Sequence, residues 1–325
     1  MRWEKNGSKP SNIAGQNINR KKRSLSIARA FLVCLVPACL FAQAPDVIVD
    51  RIQQIANEHR VRVGVAAKDL STGERVEVNA DSLFPTASVI KLPVLVELFS
   101  QFHEGKLSPG EKVELLDSLK KPGSGILQFL HDGQTLELID VATLMIILSD
   151  NTATNYVIDR LGKEHDEKLE AVNSRMRSLG LRYTKLLNKL YSFATKKKTE
   201  EARRFGIGVS CPSDMLILLE KLARREIVDT SSSDRMIAIL RNQQDIQMAA
   251  RLLPFMEDST LWIANKTGSL DDRKIDVGIV TSSRGKYGYA VFCDNSEDLG
   301  EQIDNKATFA VAKISRLLYD HFMKR

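Results

Sequence analysis

Hydrophobic residues change their spacing along the chain, and these changes predict where helices and strands alternate. Apolar residues recur at helical spacing over 46–60, which predicts an amphipathic helix. Alternating apolar and polar residues at 61–69 and 75–78 predict the two strands of a hairpin, because the polar residues at 71–73 provide a turn. The spacing then becomes helical. The predicted helices lie at 88–103, 137–148, 152–162, 166–178, 213–225 and 233–242.

The last part of the chain returns to strand patterns and ends in a predicted helix over 306–323. The predicted strands lie at 261–264, 274–281 and 287–292. Strands at both ends and helices between them predict an α/β (α+β) fold in two parts. An antiparallel sheet with flanking helices is built from 45–85 and 255–325, and an all-helical domain over 86–254 is inserted into it. The polar stretch 193–206 is predicted to be a solvated loop.

The first 44 residues have the pattern of an export signal. Basic residues precede an apolar run over 31–41, and Ala42-Gln43-Ala44 has the small residues of a cleavage site. The apolar run is too short to remain in a bilayer as a spanning helix. We therefore predict a signal peptide over 1–44 and a periplasmic or secreted mature protein, 45–325, without a membrane span. An uncleaved anchor and a lipoprotein signal ending at Cys39 are the alternatives.

Charge and cysteine content restrict the classes of protein to which this chain can belong. The chain has 325 residues and a formal net charge of +6, but 1–44 holds eight of the basic residues and one acidic residue. The remainder is nearly neutral, which removes the electrostatic basis for binding nucleic acid. Cys211 and Cys293 lie outside the leader, and we expect two unpaired buried thiols, with a single bridge as the alternative. The five His are scattered without metal-ligand spacing, so neither a metal nor a cofactor is expected.

One serine and one lysine stand in a pattern that suits nucleophilic chemistry. Ser88 and Lys91 are three positions apart at the start of a predicted helix, so their side chains share one face. A serine in the first turn also lies at the positive end of the helix dipole, which favours a developing oxyanion. The SxxK pattern alone carries little weight, because it recurs at 118–121 and 283–286.

Two further tripeptides strengthen the interpretation of the SxxK pattern at Ser88 and Lys91 as a catalytic motif. Ser149-Asp150-Asn151 ends an apolar run, and Lys266-Thr267-Gly268 follows a predicted strand. The three motifs in this order resemble the signature of class A β-lactamases and penicillin-binding proteins, from about Arg60 to the C-terminus. The stretches 122–127 and 143–156 are similar to the class A subgroup in particular. The resemblance implies a β-lactamase/transpeptidase-like fold.

The resemblance also implies roles for individual residues in acyl transfer. Ser88 would be the nucleophile and Lys91 the acceptor of its proton, provided that burial and the charge of Lys266 lower the pKa of Lys91. Ser149 would pass a proton to the β-lactam nitrogen. Asn151 would bind the acylamido side chain of the substrate.

The strand that carries the third motif would bind the rest of the substrate. The resemblance implies that the side chains of Thr267 and Ser269 bind the substrate carboxylate, and that Gly268 leaves room for the substrate to pair along the strand. The backbone N–H groups of Ser88 and Ser269 would form the oxyanion hole. Arg273 is a further candidate for the carboxylate.

One departure from the family pattern concerns hydrolysis of the acyl-enzyme. Class A enzymes carry a water-activating Glu in an ExxLN segment, whereas 184–188 reads TKLLN and places Thr184 at the first position. Glu200 and Glu201 could replace that Glu only if the polar loop folds back. We therefore expect an exported class A β-lactamase-like serine hydrolase with slow deacylation, acting as a monomer. A D,D-peptidase acting on a peptidoglycan-like substrate and a β-lactam-binding protein with little turnover are the alternatives.

Overall fold

The computed structural model describes residues 47–192 and 195–323. The predicted leader over 1–44 lies outside the described residues. The helices are α1 (Val47–His59), α2 (Lys91–His103), α3 (Leu138–Ile147), α4 (Asn151–Arg160), α5 (His165–Ser178), α6 (Glu200–Phe205), α7 (Pro212–Ala223), α8 (Thr230–Leu240) and α9 (Lys306–Met323). The strands are β1 (Arg62–Asp69), β2 (Arg75–Val78), β3 (Phe84–Pro85), β4 (Lys112–Glu114), β5 (Thr135–Glu137), β6 (Lys185–Leu186), β7 (Gly208–Ser210), β8 (Trp262–Leu270), β9 (Arg273–Ser282) and β10 (Gly285–Asp294).

The main sheet is built from both ends of the described chain. Its strand order is β2-β1-β10-β9-β8, and every neighbouring pair is antiparallel. Val65 of β1 lies opposite Val291 of β10, so the N-terminal hairpin joins the C-terminal meander in the middle of the sheet. This topology confirms the predicted antiparallel sheet with helices between its two halves. Over 47–192 and 195–323, no helix is both long and apolar enough to cross a membrane.

Both faces of the sheet are covered, and the side chains of β10 show how. Val291 and Cys293 pack into the cluster that contains α1 and α9, whereas Ala290 and Phe292 pack into the cluster that contains α2 and α7. Successive side chains of a strand point to opposite faces, so a strand buried on both sides reads as a continuous apolar run. The predicted strand at 287–292 has this composition.

Helix α2 is the most enclosed helix of the inserted segment. Its residues from Lys91 to Gln101 are all buried, whereas surface helices have one polar face. Helices α3, α4, α5 and α8 pack around it. A helix enclosed in this way holds its first residue, Lys91, in a fixed place, and the SxxK motif ends at that residue.

The polar stretch 193–206 is not entirely a loop, and this part of the prediction was wrong. Helix α6 lies within it, and the Thr199 side chain accepts a hydrogen bond from the N–H of Ala202, which caps the helix. Ala202 and Phe205 are buried against Leu187 and Val209. Their spacing of three residues gives the short helix one apolar side, which the surrounding charges obscure in the sequence.

Cys211 and Cys293 are free and buried, in agreement with the expectation of two unpaired thiols. Cys211 precedes α7 and Cys293 lies in β10. Burial raises the pKa of Cys211 to about 12, and it raises the pKa of Cys293 as well. Both groups are therefore neutral and unreactive in the folded protein, because the thiolate is the nucleophilic form.

Candidate active site

Ser88 lies in a strained turn that leads directly into α2. The residues from Ala87 to Ile90 form a 3-10 turn, and Ala87 has φ of 45°, a left-handed conformation that costs free energy for a residue other than glycine. The side chains around Ser88 are buried, whereas Ser88 itself is half-buried and lines a cavity. The turn therefore presents one hydroxyl to the cavity.

The side chain of Lys91 is completely buried and bonded to the second motif. Its Nζ donates to the carbonyl oxygen of Ser149 at 2.6 Å, to Ser149 Oγ at 3.1 Å and to Asn151 Oδ1 at 2.9 Å. The pKa of Lys91 lies well below its usual value, chiefly because burial removes the ammonium from water and also because Lys266 carries like charge. A lysine with a lowered pKa has a larger neutral fraction, and the neutral form is the one that accepts a proton.

The second motif forms a tight junction between α3 and α4. Ser149 has φ of 53°, so a second strained residue lies at the same site as Ala87. Asp150 caps α4 by accepting from the N–H of Ala153, and it also accepts from the N–H of Leu127. A Cβ at Gly125 would lie 2.2 Å from the carboxylate carbon of Asp150, so only glycine fits there.

Asn151 connects the junction to the glycine-rich stretch at 122–127. Its Nδ2 donates to the carbonyl oxygen of Pro122 at 2.9 Å, and its backbone N–H donates to that of Ser124 at 3.0 Å. The amide oxygen is taken by Lys91, so one Nδ2 hydrogen is left for a substrate. This stretch, which resembles the class A subgroup, therefore holds Asn151 in place.

The third motif lies inside β8, the edge strand of the main sheet. The predicted strand at 261–264 extends through the motif to Leu270. A Cβ at Gly268 would lie 2.9 Å from the carbonyl oxygen of Thr86 and 3.2 Å from the backbone nitrogen of Ser88. The strand can pack this closely against the turn because residue 268 is glycine. Among the strands that the structure describes, β8 has no partner on its outer side, so this edge can pair with a ligand.

Lys266 is also completely buried, and its Nζ donates to the carbonyl oxygen of Thr267 at 2.7 Å. Burial lowers the pKa of Lys266 to about 8, although Asp245 and Asp276 oppose the shift. Lys266 therefore keeps its charge near neutral pH. The two lysines differ in their surroundings: two carboxylates, Asp245 and Asp276, oppose the shift at Lys266, whereas at Lys91 the charge of Lys266 adds to the effect of burial and Asp150 alone opposes it.

A cavity of about 320 Å³ joins the three motifs. It is lined by Ser88, Ser124, Ile147, Leu148, Ser149, Gln243, Gln244, Asp245, Thr267 and Ser269. The structure thus brings Ser88, Ser149, Thr267 and Ser269 to one cavity, with Lys91, Asn151, Lys266 and Gly268 directly behind its wall.

Lys274 was not identified from the sequence, and it forms a hydrogen bond to the predicted carboxylate-binding strand. The buried Lys274 donates from Nζ to Ser269 Oγ at 2.6 Å. Arg273, the candidate named from the sequence, is instead paired with Asp272 through two hydrogen bonds of 2.7 Å. The sheet register places Lys274 opposite Ser269, and a register is not visible in the sequence alone.

Thr184 does not line the cavity. Its hydroxyl lies 2.8 Å from Ser210 Oγ and donates to Asp214 at 2.9 Å, and the residue is buried. Glu201 is paired with Lys185 at 2.8 Å, and Glu200 is exposed at the start of α6. The structure therefore brings none of the three residues considered for water activation to Ser88.

The later part of the same segment does approach the site. Asn155 in α4 holds Leu190 through hydrogen bonds to its carbonyl oxygen and its N–H, at 2.8 and 3.0 Å. A Cβ at Gly123 would lie 2.9 Å from Asn151 Nδ2 and 3.3 Å from the hydroxyl of Tyr191, so Gly123 lies next to both side chains.

Comparison with known proteins agrees with this fold. A family model for the beta-lactamase enzyme family matches residues 48–322. A β-lactamase of Streptomyces lavendulae is 34% identical over 147 residues, 44% of this chain and 46% of the relative. The β-lactamase AER-1 of Aeromonas hydrophila is 26% identical over 246 residues, 73% of this chain and 75% of the relative. The chain spans about half the length of the first curated relatives that it matches.

Solved structures show the same fold. A β-lactamase of Sphaerobacter thermophilus has a TM-score of 0.74 at 29% identity, covering 85% of this chain and 97% of that chain. PBP-A, captured in a variant form as an acyl-enzyme with penicillin G, has a TM-score of 0.73 at 28% identity, covering 86% and 97%. The fold is that of the β-lactamase/transpeptidase class. The chain belongs to the beta-lactamase enzyme family.

The position of Thr184 leads to a prediction about the variant Thr184→Glu. A second carboxylate would be buried beside Asp214 in place of a bonded hydroxyl, so the free energy of unfolding should fall by about 2 kcal/mol or more. The loss of a covalent acyl adduct should be no faster than in the wild type. Denaturant unfolding and mass spectrometry of the adduct measure the two effects, with Thr184→Val as the matched control. A stable variant with faster adduct loss would contradict this placement.

Proposed function

We propose that the chain is an exported serine hydrolase that opens β-lactam rings through an acyl-enzyme on Ser88, with slow deacylation. The observation that supports it best is the buried Lys91, three residues after Ser88, whose three hydrogen bonds hold it against Ser149 and Asn151 and whose pKa is strongly lowered. A buried lysine without a carboxylate partner costs stability, and active sites are where proteins retain such groups.

Acylation can proceed with these residues alone. Lys91, neutral at the moment of reaction, accepts the proton of the Ser88 hydroxyl, and Oγ of Ser88 forms a bond to the carbonyl carbon of the lactam. The carbon–nitrogen bond of the ring then breaks. The nitrogen takes its proton from Ser149, which is replenished by Lys91 across the 3.1 Å hydrogen bond. The net change is transfer of one proton from Ser88 to the lactam nitrogen.

Charge near β8 supports binding of an anionic substrate. Thr267 and Ser269 line the cavity, and the nitrogen of Lys274 lies 2.6 Å from the hydroxyl of Ser269. A substrate carboxylate at these hydroxyls would face Lys274 and Lys266. The backbone N–H of Ser88 lies close to the edge of β8 at Gly268, which suits the proposed pairing of the Ser88 and Ser269 N–H groups as an oxyanion hole.

The positions of the carboxylates around the cavity support slow deacylation, because the residues considered for water activation do not line it. Asp150 already accepts two hydrogen bonds from the backbone, and Asp245 is the one carboxylate among the residues that line the cavity. Neither Thr184 nor Glu200 nor Glu201 lines it. The absence of these three residues from the cavity lining favours a second candidate function, a β-lactam-binding protein with little turnover. A D,D-peptidase remains the third possibility.

Labelling with penicillin distinguishes these functions. Penicillin G should add covalently to the wild type and not to Ser88→Ala, because Ser118 and Ser283 lack the accompanying motifs. A chromogenic cephalosporin should give a burst of about one equivalent followed by a slow phase, since deacylation limits turnover. Turnover without a burst would contradict slow deacylation. Hydrolysis of D-alanyl peptides, together with a penicillin adduct that is not hydrolysed, would favour the peptidase.

The two lysines predict the pH dependence of acylation. The rate should rise with pH as Lys91 loses its proton, in a range well below the usual pKa of lysine. It should fall again through about pH 8, where Lys266 loses its charge. The second-order rate constant for adduct formation, measured by stopped flow across pH, tests this bell shape. A rate that keeps rising through this alkaline range would show that the charge of Lys266 is not needed.

Export is proposed from the leader over 1–44. Sequencing the N-terminus of the protein recovered from the periplasm or medium should find a start near Pro45. Recovery with Met1, or with a lipid on Cys39, would contradict a cleaved signal peptide.

A further inference from the structure

Asp245 is the one carboxylate among the residues that line the cavity, and the proposed reaction assigns it no role. The other lining side chains are apolar groups, hydroxyls and amides. Asp245 is half-buried, so it borders both the cavity and the solvent. A charged group at the wall of a cavity attracts or repels a charged ligand while that ligand binds, and it therefore contributes to the choice of substrate.

One end of the segment that carries Asp245 is bonded to the helix before the second motif. The N–H of Gln244 donates to the carbonyl oxygen of Ile147 at 3.0 Å, and Nε2 of Gln243 donates to that of Ile146 at 3.2 Å. Both acceptors lie in the last turn of α3, and a single residue separates α3 from the second motif. The segment is therefore fixed next to this junction.

The other end of the segment is bonded to the main sheet. The N–H of Ala249 donates to the carboxylate of Asp276 in β9 at 3.0 Å. Asp276 is the cross-strand partner of Thr267 in the third motif. Since both ends are held, the segment runs from the second motif to the third. It forms the part of the cavity wall that joins Ser149 to Thr267, and Asp245 lies in this part.

The carboxylate of Asp245 has no ion-pair partner among the residues that the structure describes. One of its oxygens accepts a hydrogen bond from the N–H of Gln247 at 3.1 Å. Lys266 and Lys274, the two buried lysines of β8 and β9, donate instead to groups of β8. A carboxylate accepts several hydrogen bonds, so Asp245 keeps acceptor capacity for a group that enters the cavity.

The proposed binding mode decides which part of a substrate meets Asp245. It assigns the lactam nitrogen to Ser149, the substrate carboxylate to Thr267 and Ser269, and the acylamido side chain to Asn151. In a cephalosporin, the carbon that carries the carboxylate is bonded to the lactam nitrogen, and the next ring carbon, C3, carries a variable substituent. A substituent at C3 is therefore the group that extends toward the wall between Ser149 and Thr267.

We propose that Asp245 determines substrate preference by favouring β-lactams that carry a cationic substituent on the carbon next to the carboxylate-bearing carbon. The inference rests on the proposed function, because the binding mode at Ser149 and Thr267 locates that substituent. The opposite charges attract each other, and a neutral substituent at the same position gains no such attraction. Asp245 acts on binding and takes no part in proton transfer.

Two cephalosporins with the same thienylacetamido side chain test this preference. Cephaloridine carries a cationic pyridinium on the C3 methylene, whereas cephalothin carries a neutral acetoxy group there. The ratio of their second-order rate constants for adduct formation, cephaloridine over cephalothin, should fall about threefold or more in Asp245→Asn. This is the size expected for two unit charges several ångströms apart in water. The comparison between proteins removes the intrinsic reactivity of each compound and the effect of Asp245 on the carboxylate that both compounds share.

The matched control is Asp81→Asn. Asp81 is an exposed aspartate between β2 and β3 that does not line the cavity, so this variant should leave the ratio unchanged. An equal ratio in the wild type and in Asp245→Asn would overturn the proposal. An equal fall in both variants would overturn it as well, because net charge rather than the cavity wall would then set the preference.

Salt screens the same charge in the wild type and decides the question if Asp245→Asn does not fold. At about 1 M salt the Debye length falls to about 3 Å, so the preference for cephaloridine over cephalothin should weaken. A wild-type ratio that does not depend on salt would overturn the proposal.

Equilibrium binding to Ser88→Ala, followed by NMR titration, separates this inference from the proposed function. Without the hydroxyl no adduct forms, and the preference for cephaloridine in Kd should weaken when Asp245→Asn is added to this variant. Such a result without labelling of Ser88 in the wild type would refute the proposed function alone. Labelling of Ser88 with the same preference in Kd before and after Asp245→Asn would refute the inference alone. Binding of neither compound to Ser88→Ala would overturn the inference.

Discussion

The burial of one lysine nitrogen is the constraint on which the site depends. Lys91 opens a helix that is otherwise enclosed by apolar side chains, so its nitrogen has no access to bulk water. Its three acceptors come from Ser149 and Asn151, and an unpaired nitrogen there would cost several kcal/mol by the usual range of about 2–7 kcal/mol. The positive φ of Ser149 turns its carbonyl and its hydroxyl toward the same nitrogen, and the cap at Asp150 holds that turn. The strain is offset by the hydrogen bonds that it makes possible.

The second half of the site is held by a close contact between two backbones. The turn at Ser88 belongs to the helical segment and β8 belongs to the sheet, and they meet where Gly268 has no side chain. Thr267 therefore reaches the cavity from the sheet, with Lys266 behind it, whereas Ser88 and Ser149 reach it from the helices, with Lys91 behind them. Both sets border one packed core, which contains Val89 and Ile90 of the turn and Ala264 of β8, so the distance between them is fixed by the whole fold rather than by a local loop.

Much of this could be predicted from the sequence, and the limits have physical causes. The long helices and the sheet from both chain ends follow from hydrophobic spacing, and the residues around the cavity follow from three short motifs. The extension of β8 to Leu270 could not be predicted, because Lys266 and Gly268 interrupt the apolar pattern where they face the site. The positions of Lys274 opposite Ser269 and of Asp276 opposite Thr267 are set by the sheet register, which the sequence does not reveal. The position of Thr184 depends on its contact with Asp214, thirty residues later in the chain, and short motif similarity does not contain that information.

The two buried thiols have a practical consequence for studies of this molecule. Because neither is paired, no disulfide stabilises the part of the chain that the structure describes, 47–192 and 195–323. Each thiol becomes reactive only when its surroundings open. Cys293 lies near the end of β10, whereas Cys211 lies at the start of α7, so thiol-modifying reagents would detect opening of two different places. The protein thus carries two natural probes of its own local unfolding.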